Sequence, residues 1–112
     1  MMLDTRPLND PEVLQLEPIL TIRHGSVLKD KLLAALSRSD AVELSIDKNS
    51  EADLSFVQLI EAARLQASRQ GKALSLASPV EGSVLETLER AGLTTAMTSQ
   101  SRAFWFHEKE KQ

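Results

Sequence analysis

The chain has 112 residues, 42% hydrophobic and 26% charged, with a formal net charge of −3; that suits one domain with a real core, and without a basic stripe it argues against nucleic acid as a partner. The absence of cysteine excludes disulfides and thiolate metal sites and is compatible with a reducing cytoplasm, the expected location. No run approaches the ~18 apolar residues of a membrane span, so insertion into a membrane is not expected, and the Met1-Met2-Leu3-Asp4 start lacks the apolar centre of a signal peptide.

In chain order, residues 1–12 are polar, contain Pro7 and Pro11, and read as a flexible leader. Val13-Leu14-Gln15-Leu16 reads as a short edge strand stopped by Pro18, which has no N–H for a ladder. Ile19-Leu20-Thr21-Ile22 is a stronger strand, closed by His24-Gly25-Ser26. Leu28, Leu32, Ala35 and Leu36 recur at helical spacing, and a polar break follows at residues 37–40. Val42, Leu44 and Ile46 then alternate with Glu43, Ser45 and Asp47, which predicts a strand with one buried and one polar face.

The second helix is expected from about Leu54 to Gln70, with Phe56, Leu59, Ile60, Ala63 and Ala67 on its inner face and Gly71 at its end. Residues 72–77 form the next strand. Ser78-Pro79-Val80-Glu81 has the pattern of a helix start, with a capping serine, proline in the first turn and a glutamate placed to return a bond to the cap. Val84, Leu85 and Leu88 supply that third helix with an inner face, and Gly92-Leu93 closes it. Ala103-Phe104-Trp105-Phe106 reads as a last strand, which ends the domain at 13–107 and leaves 108–112 as a charged, frayed tail.

Strands alternating with helices imply βαβ units. The expected fold class is α/β: a mixed, largely parallel sheet with helices mainly on one face, since several strands show a polar side. Residues 19–22, 42–46 and 72–77 are expected to be mutually parallel, with the strand before Pro18 as an antiparallel edge.

The stretch that carries chemistry is Glu51-Ala52-Asp53-Leu54-Ser55-Phe56-Val57, between a strand and a helix. A helix N-terminus has unpaired N–H groups and a partial positive charge, which favour a carboxylate or a phosphate. The ordinary reading makes Asp53 the cap and Ser55 a neutral first-turn residue; the sharper one makes Ser55 a site for a charge switch. Elsewhere the signals are weak. His24 and His107 have no metal-ligand neighbour at a recognisable spacing, and read as a turn residue and a strand-end residue facing water. Glu61 is placed to pair with Arg64 on an exposed helix face. Ser75 and Ser78 lie at a strand's C-terminal end, where ligands often sit, but no Gly-rich loop follows them. In the cluster Phe104-Trp105-Phe106, strand alternation turns Trp105 away from its neighbours, as a partly exposed interface residue. No nucleophile–base pair is visible, so no enzyme activity, metal or other cofactor is expected.

Over residues 13–106 this layout resembles the STAS domain, the fold of bacterial anti-sigma factor antagonists and of the cytoplasmic ends of sulfate transporters. The resemblance rests on the 42–46 strand, the Asp53-Leu54-Ser55-Phe56 turn and the ending Glu89-Arg90-Ala91-Gly92-Leu93. In antagonist members the turn reads Asp-Ser-Ser-Gly, and the second serine is phosphorylated by the partner kinase. Asp53 matches the family aspartate and Ser55 the phosphorylated serine, while Leu54 stands for the first serine and Phe56 for the glycine. The resemblance implies a non-enzymatic regulatory module that docks a protein partner, an anti-sigma factor or sensory kinase, through Asp53, Leu54, Ser55, Phe56 and Gln58. Ser55 is then phosphoacceptor or contact residue. Related STAS proteins also serve a phospholipid-transport ATPase complex, so the alternative is a constitutive subunit docked on a transporter ATPase. A nucleotide or small-ligand sensor is a third class, and a homodimer is compatible with each.

Overall fold

Alternating apolar residues build the sheet. In the computed structural model, which describes residues 11–16, 18–20, 25–95 and 97–108, strands β1 (Glu12–Gln15), β3 (Ala41–Ser45) and β5 (Ala73–Leu76) form a parallel sheet in the order β1-β3-β5. The register sets Val42 beside Leu74 and Leu44 beside Leu76. These four are buried, while Ala73 and Ser75 on the opposite face are exposed. A one-residue slip would turn the apolar set to water, so burial of one face fixes the register. The helices α1 (Gly25–Arg38), α2 (Leu54–Arg69), α3 (Gly82–Arg90) and α4 (Ser99–Phe106) supply the other side of the core. A parallel α/β fold with helices mainly on one face is therefore observed.

The first strand differs from expectation. β1 runs parallel to β3, pairing Leu14 with Leu44, and is not an antiparallel edge. It also begins within the supposed leader: Glu12 belongs to the strand and is held by Arg38 and by Ser39 Oγ at 2.6 Å. The strand expected at 19–22 is seen as β2 (Ile19–Leu20), and it pairs in parallel with β4 (Glu51–Ala52), not with residues 42–46. Pro18 explains the change. It cannot donate to the ladder, so the β1–β3 pairing ends at the bond from Leu16 N–H to Ser45 C=O. The Pro18 carbonyl accepts from Glu51 N–H at 2.8 Å and starts a second, two-stranded ladder. Residues 21–24, with His24, lie outside the described residues.

Helix α1 buries Leu28, Leu32, Ala35 and Leu36, as its spacing required. Helix α2 buries Phe56, Val57, Ile60, Ala63 and Ala67. Leu59 is only partly buried and Val57 takes an inner position, so the apolar stripe is turned slightly toward Val57 while Phe56, Ile60, Ala63 and Ala67 stay inside. After α2, Gly71 adopts φ +71. There Gly71 N–H bonds Ser68 C=O and Lys72 N–H bonds Ala67 C=O, which satisfies two carbonyls of the last turn. The same bond pattern closes α3, from Gly92 N–H to Glu89 C=O and from Leu93 N–H to Leu88 C=O.

Two further elements overturn the sequence reading. Residues 78–81 are not helical; α3 starts at Gly82, with Glu81 as a cap that makes no side-chain bond. The Val80 N–H is instead taken by the Trp105 carbonyl at 2.8 Å. The expected strand at 103–106 is helix α4, capped by Thr98, whose Oγ1 accepts the Ser101 N–H at 3.1 Å. Phe104 and Trp105 are adjacent and both buried, which alternation on a strand would forbid and a helix edge allows. Trp105 is 0% exposed, so it is a core residue and not an interface marker.

Candidate functional site

The site begins where β4 ends. Asp53 has extended backbone angles, and its Oδ1 accepts the Phe56 N–H at 3.3 Å, so it caps α2 as the sequence indicated. The same oxygen accepts the Ser55 hydroxyl at 2.5 Å. Asp53 and Ser55 are both half-buried. Phe56 is 2% exposed; its ring packs into the core, so it is removed from the expected docking surface. Leu54, 42% exposed, and Gln58, also exposed, remain on that surface.

Hydroxyls that the sequence reading passed over hold this turn in place. The Ala52 N–H donates to Ser83 Oγ at 3.0 Å, and the Ala52 carbonyl accepts from Thr87 Oγ1 at 3.3 Å. Thr87 also donates to the Ser83 carbonyl at 2.8 Å, a back-bond within α3. Helix α3 thus covers the edge of β4 that β2 leaves open, and it ties the residue before the cap to a second helix. Ser83 and Thr87 are four apart on one face, but only the fold reveals what that face meets.

Glu61 pairs with Arg64 at 2.6 Å, as expected, yet its other oxygen accepts the Trp105 indole N–H at 2.6 Å. Arg64 also donates to Ser101 Oγ at 3.0 Å and lies 5.4 Å from the centre of the Phe104 ring. A pair that reads as surface decoration therefore anchors α4 to α2. His107 is not at a strand end: it caps α4 with φ 58, and its ring N–H donates to the Leu76 carbonyl at 2.9 Å. Ser78 lines a cleft of about 10 Å³ at the C-terminal ends of β3 and β5, room for about one water and far too little for a nucleotide. Among the described residues no helix is long and apolar enough to cross a membrane.

A parallel sheet, helices on one face and a capped Asp53–Ser55 turn form the frame that the sequence resemblance implied. A family model described as "Mlab, STAS domain" matches residues 5–99. The chain belongs to the STAS domain family. No curated protein and no solved structure matches it. The STAS match includes the turn and everything that holds it, and it stops at the start of α4. STAS domains are generally non-enzymatic modules of regulation and protein–protein interaction, and that general role is the one supported here.

Proposed function

We propose that this STAS domain is a docking module that engages a protein partner through the start of α2, with Leu54 as apolar anchor and Asp53, Ser55 and Gln58 around it. The observation that carries this reading is an exposed leucine, 42% accessible, on a turn held from behind by α3. An apolar side chain ringed by polar groups on a rigid element is what a small interface centre requires.

The Ser55–Asp53 bond bears on how docking is controlled. A phosphate on Ser55 would end the 2.5 Å bond and set roughly −1.5 to −2 charges against the capping carboxylate. The positive end of α2 offsets part of that charge. This balance supports docking by the unmodified serine, as in a constitutive subunit of a transporter ATPase complex, over a phosphoswitch worked by an anti-sigma kinase. The experiment is capture of the partner from the native cytoplasm by the tagged full chain, with mass spectrometry of both the partner and Ser55. Leu54→Asp should abolish capture and Ser55→Ala should keep it. If Ser55 carries phosphate in cells and the modified form is absent from the complex, the switch replaces constitutive docking. If Leu54→Asp captures as well as wild type, the surface itself is wrong.

A further inference from the structure

A second feature lies along the free edge of β5. Among the described residues the sheet order ends at β5, whose one neighbour there is β3. The Ala73 N–H bonds Asp40 C=O and the Ala77 N–H bonds Leu44 C=O, both toward β3. In a parallel ladder alternate residues bond alternate sides, so the N–H and C=O groups of Leu74 and Leu76 face outward. Among the described residues, the Leu76 carbonyl accepts from the His107 ring and no backbone bond outside the ladder reaches either amide. Helix α4 stands off from this edge and leaves a groove of about 360 Å³ between Leu74–Leu76 and Gln100, Ala103 and Phe104, with Arg64, Lys72 and His107 at its borders. No acidic side chain lines it, although the chain is net acidic. Lys72 donates to the Leu36 carbonyl in the last turn of α1 and, among the described residues, has no carboxylate at ion-pair distance; Arg64 is shared with Glu61.

We propose that this groove receives an extended acidic peptide segment of a partner protein, which adds as a strand to the outer edge of β5. Main-chain bonds to the Leu74 and Leu76 amides supply the affinity, and acidic side chains meeting Lys72 supply the selection. The His107 ring already occupies the position of such a donor on the Leu76 carbonyl, so it marks where an incoming strand would end. The site lies beside the C-terminal half of α2, roughly 20 Å along the helix from Ser55 at 1.5 Å per residue. It is therefore separate from the docking surface at the start of α2.

The test is nuclear magnetic resonance on the full-length chain. In the dilute free protein, the Leu74 and Leu76 amides should exchange with solvent faster than those of Ser75 and Ala77. A short peptide alternating threonine and glutamate should shift the Leu74, Leu76, Gln100 and Ala103 signals, with a Kd of about 1 mM or tighter. The same peptide N-methylated at alternate residues, which cannot donate to the edge, should bind at least about tenfold more weakly. A threonine–lysine peptide should also be weaker, and Gln100→Glu, an exposed change on the outer wall, should weaken the acidic peptide without lowering Tm. Lys72→Glu should narrow or invert the preference between the two peptides. Slow exchange at Leu74 and Leu76 in the dilute protein would mean that another part of the chain covers the edge. Slowing that grows with protein concentration would mean that a second copy does. Either result overturns the proposal, as would equal binding of the acidic, basic and N-methylated peptides.

Discussion

At the scale of single residues, the Asp53 carboxylate has two tasks: it accepts the Phe56 N–H, which it shares with its own backbone carbonyl, and holds the Ser55 hydroxyl. Asp53→Ala should therefore cost about 0.5–2 kcal/mol, the usual range for a lost N-cap, while Ser55→Ala should cost less because the cap to Phe56 survives. Urea melts of the two variants check the order; equal midpoints would mean that the cap contributes little. Trp105 gives a second case. The buried Trp105 indole N–H meets the half-buried Glu61 carboxylate at 2.6 Å, so Trp105→Phe loses a charge-assisted bond as well as volume. A loss of about 1 kcal/mol from the bond alone is expected, since the carboxylate is partly solvated and already paired with Arg64. The double variant with Glu61→Ala should show the two changes to be non-additive, because both remove the same bond. Strict additivity in denaturant melts would assign the loss to packing alone.

At the scale of elements, the junction between the loop after β3 and the start of α3 has little tolerance. Gly82 has φ +65, and a Cβ there would lie 2.3 Å from the Lys48 carbonyl oxygen. Gly71 has φ +71, but nothing lies within 4 Å of its virtual Cβ. Both alanine variants meet the left-handed penalty of about 1–2 kcal/mol; Gly82→Ala must in addition push backbone aside. Gly82→Ala should thus lower Tm by several degrees more than Gly71→Ala in calorimetry. Similar shifts would show that the loop yields freely. Because α3 also carries Ser83 and Thr87 to the Ala52 backbone, movement at Gly82 should reach the docking turn. Leu54-dependent capture should weaken in that variant even at temperatures where it is folded.

At the scale of the whole molecule, one continuous core joins the sheet face to the four described helices. Leu44 is 0% exposed in the central strand, whereas Glu43 looks to the other side and is half-buried. Leu44→Ala should cost about 2–5 kcal/mol and Glu43→Ala under about 1. Ile60→Ala should fall in the Leu44 range and Leu59→Ala below it, since Leu59 only flanks the core. Chemical denaturation of the four variants reads the register of β3 and the rotation of α2 together; a larger loss at Leu59 than at Ile60 would mean that α2 is rotated. The family match ends at residue 99, yet Phe104 and Trp105 beyond it are buried. Ending the chain at Thr98 should therefore expose core and lower both the midpoint and the denaturant slope.

Local rules determined much of this protein from sequence. Alternation at Val42 and Leu44 set the central strand and its buried face; helical spacing set α1 and most of α2; Asp53 and Gly71 marked where α2 starts and stops. Each of these depends on groups within a few residues of one another, so the information is present in the chain itself. Only the tertiary structure decided the rest. Phe104, Trp105 and Phe106 are strong strand formers, but the cap at Thr98 and the burial of two adjacent aromatics against α2 favour helix. Ser78-Pro79-Val80-Glu81 has the composition of a helix start, but the Val80 N–H bonds a carbonyl of α4 and the helix begins later. Pro18 divided one ladder into two, and that change of partner set the course of β4 into the turn at Asp53. Which backbone group lies opposite which across 25 or more residues depends on how the layers pack, and no pattern within a single segment records it.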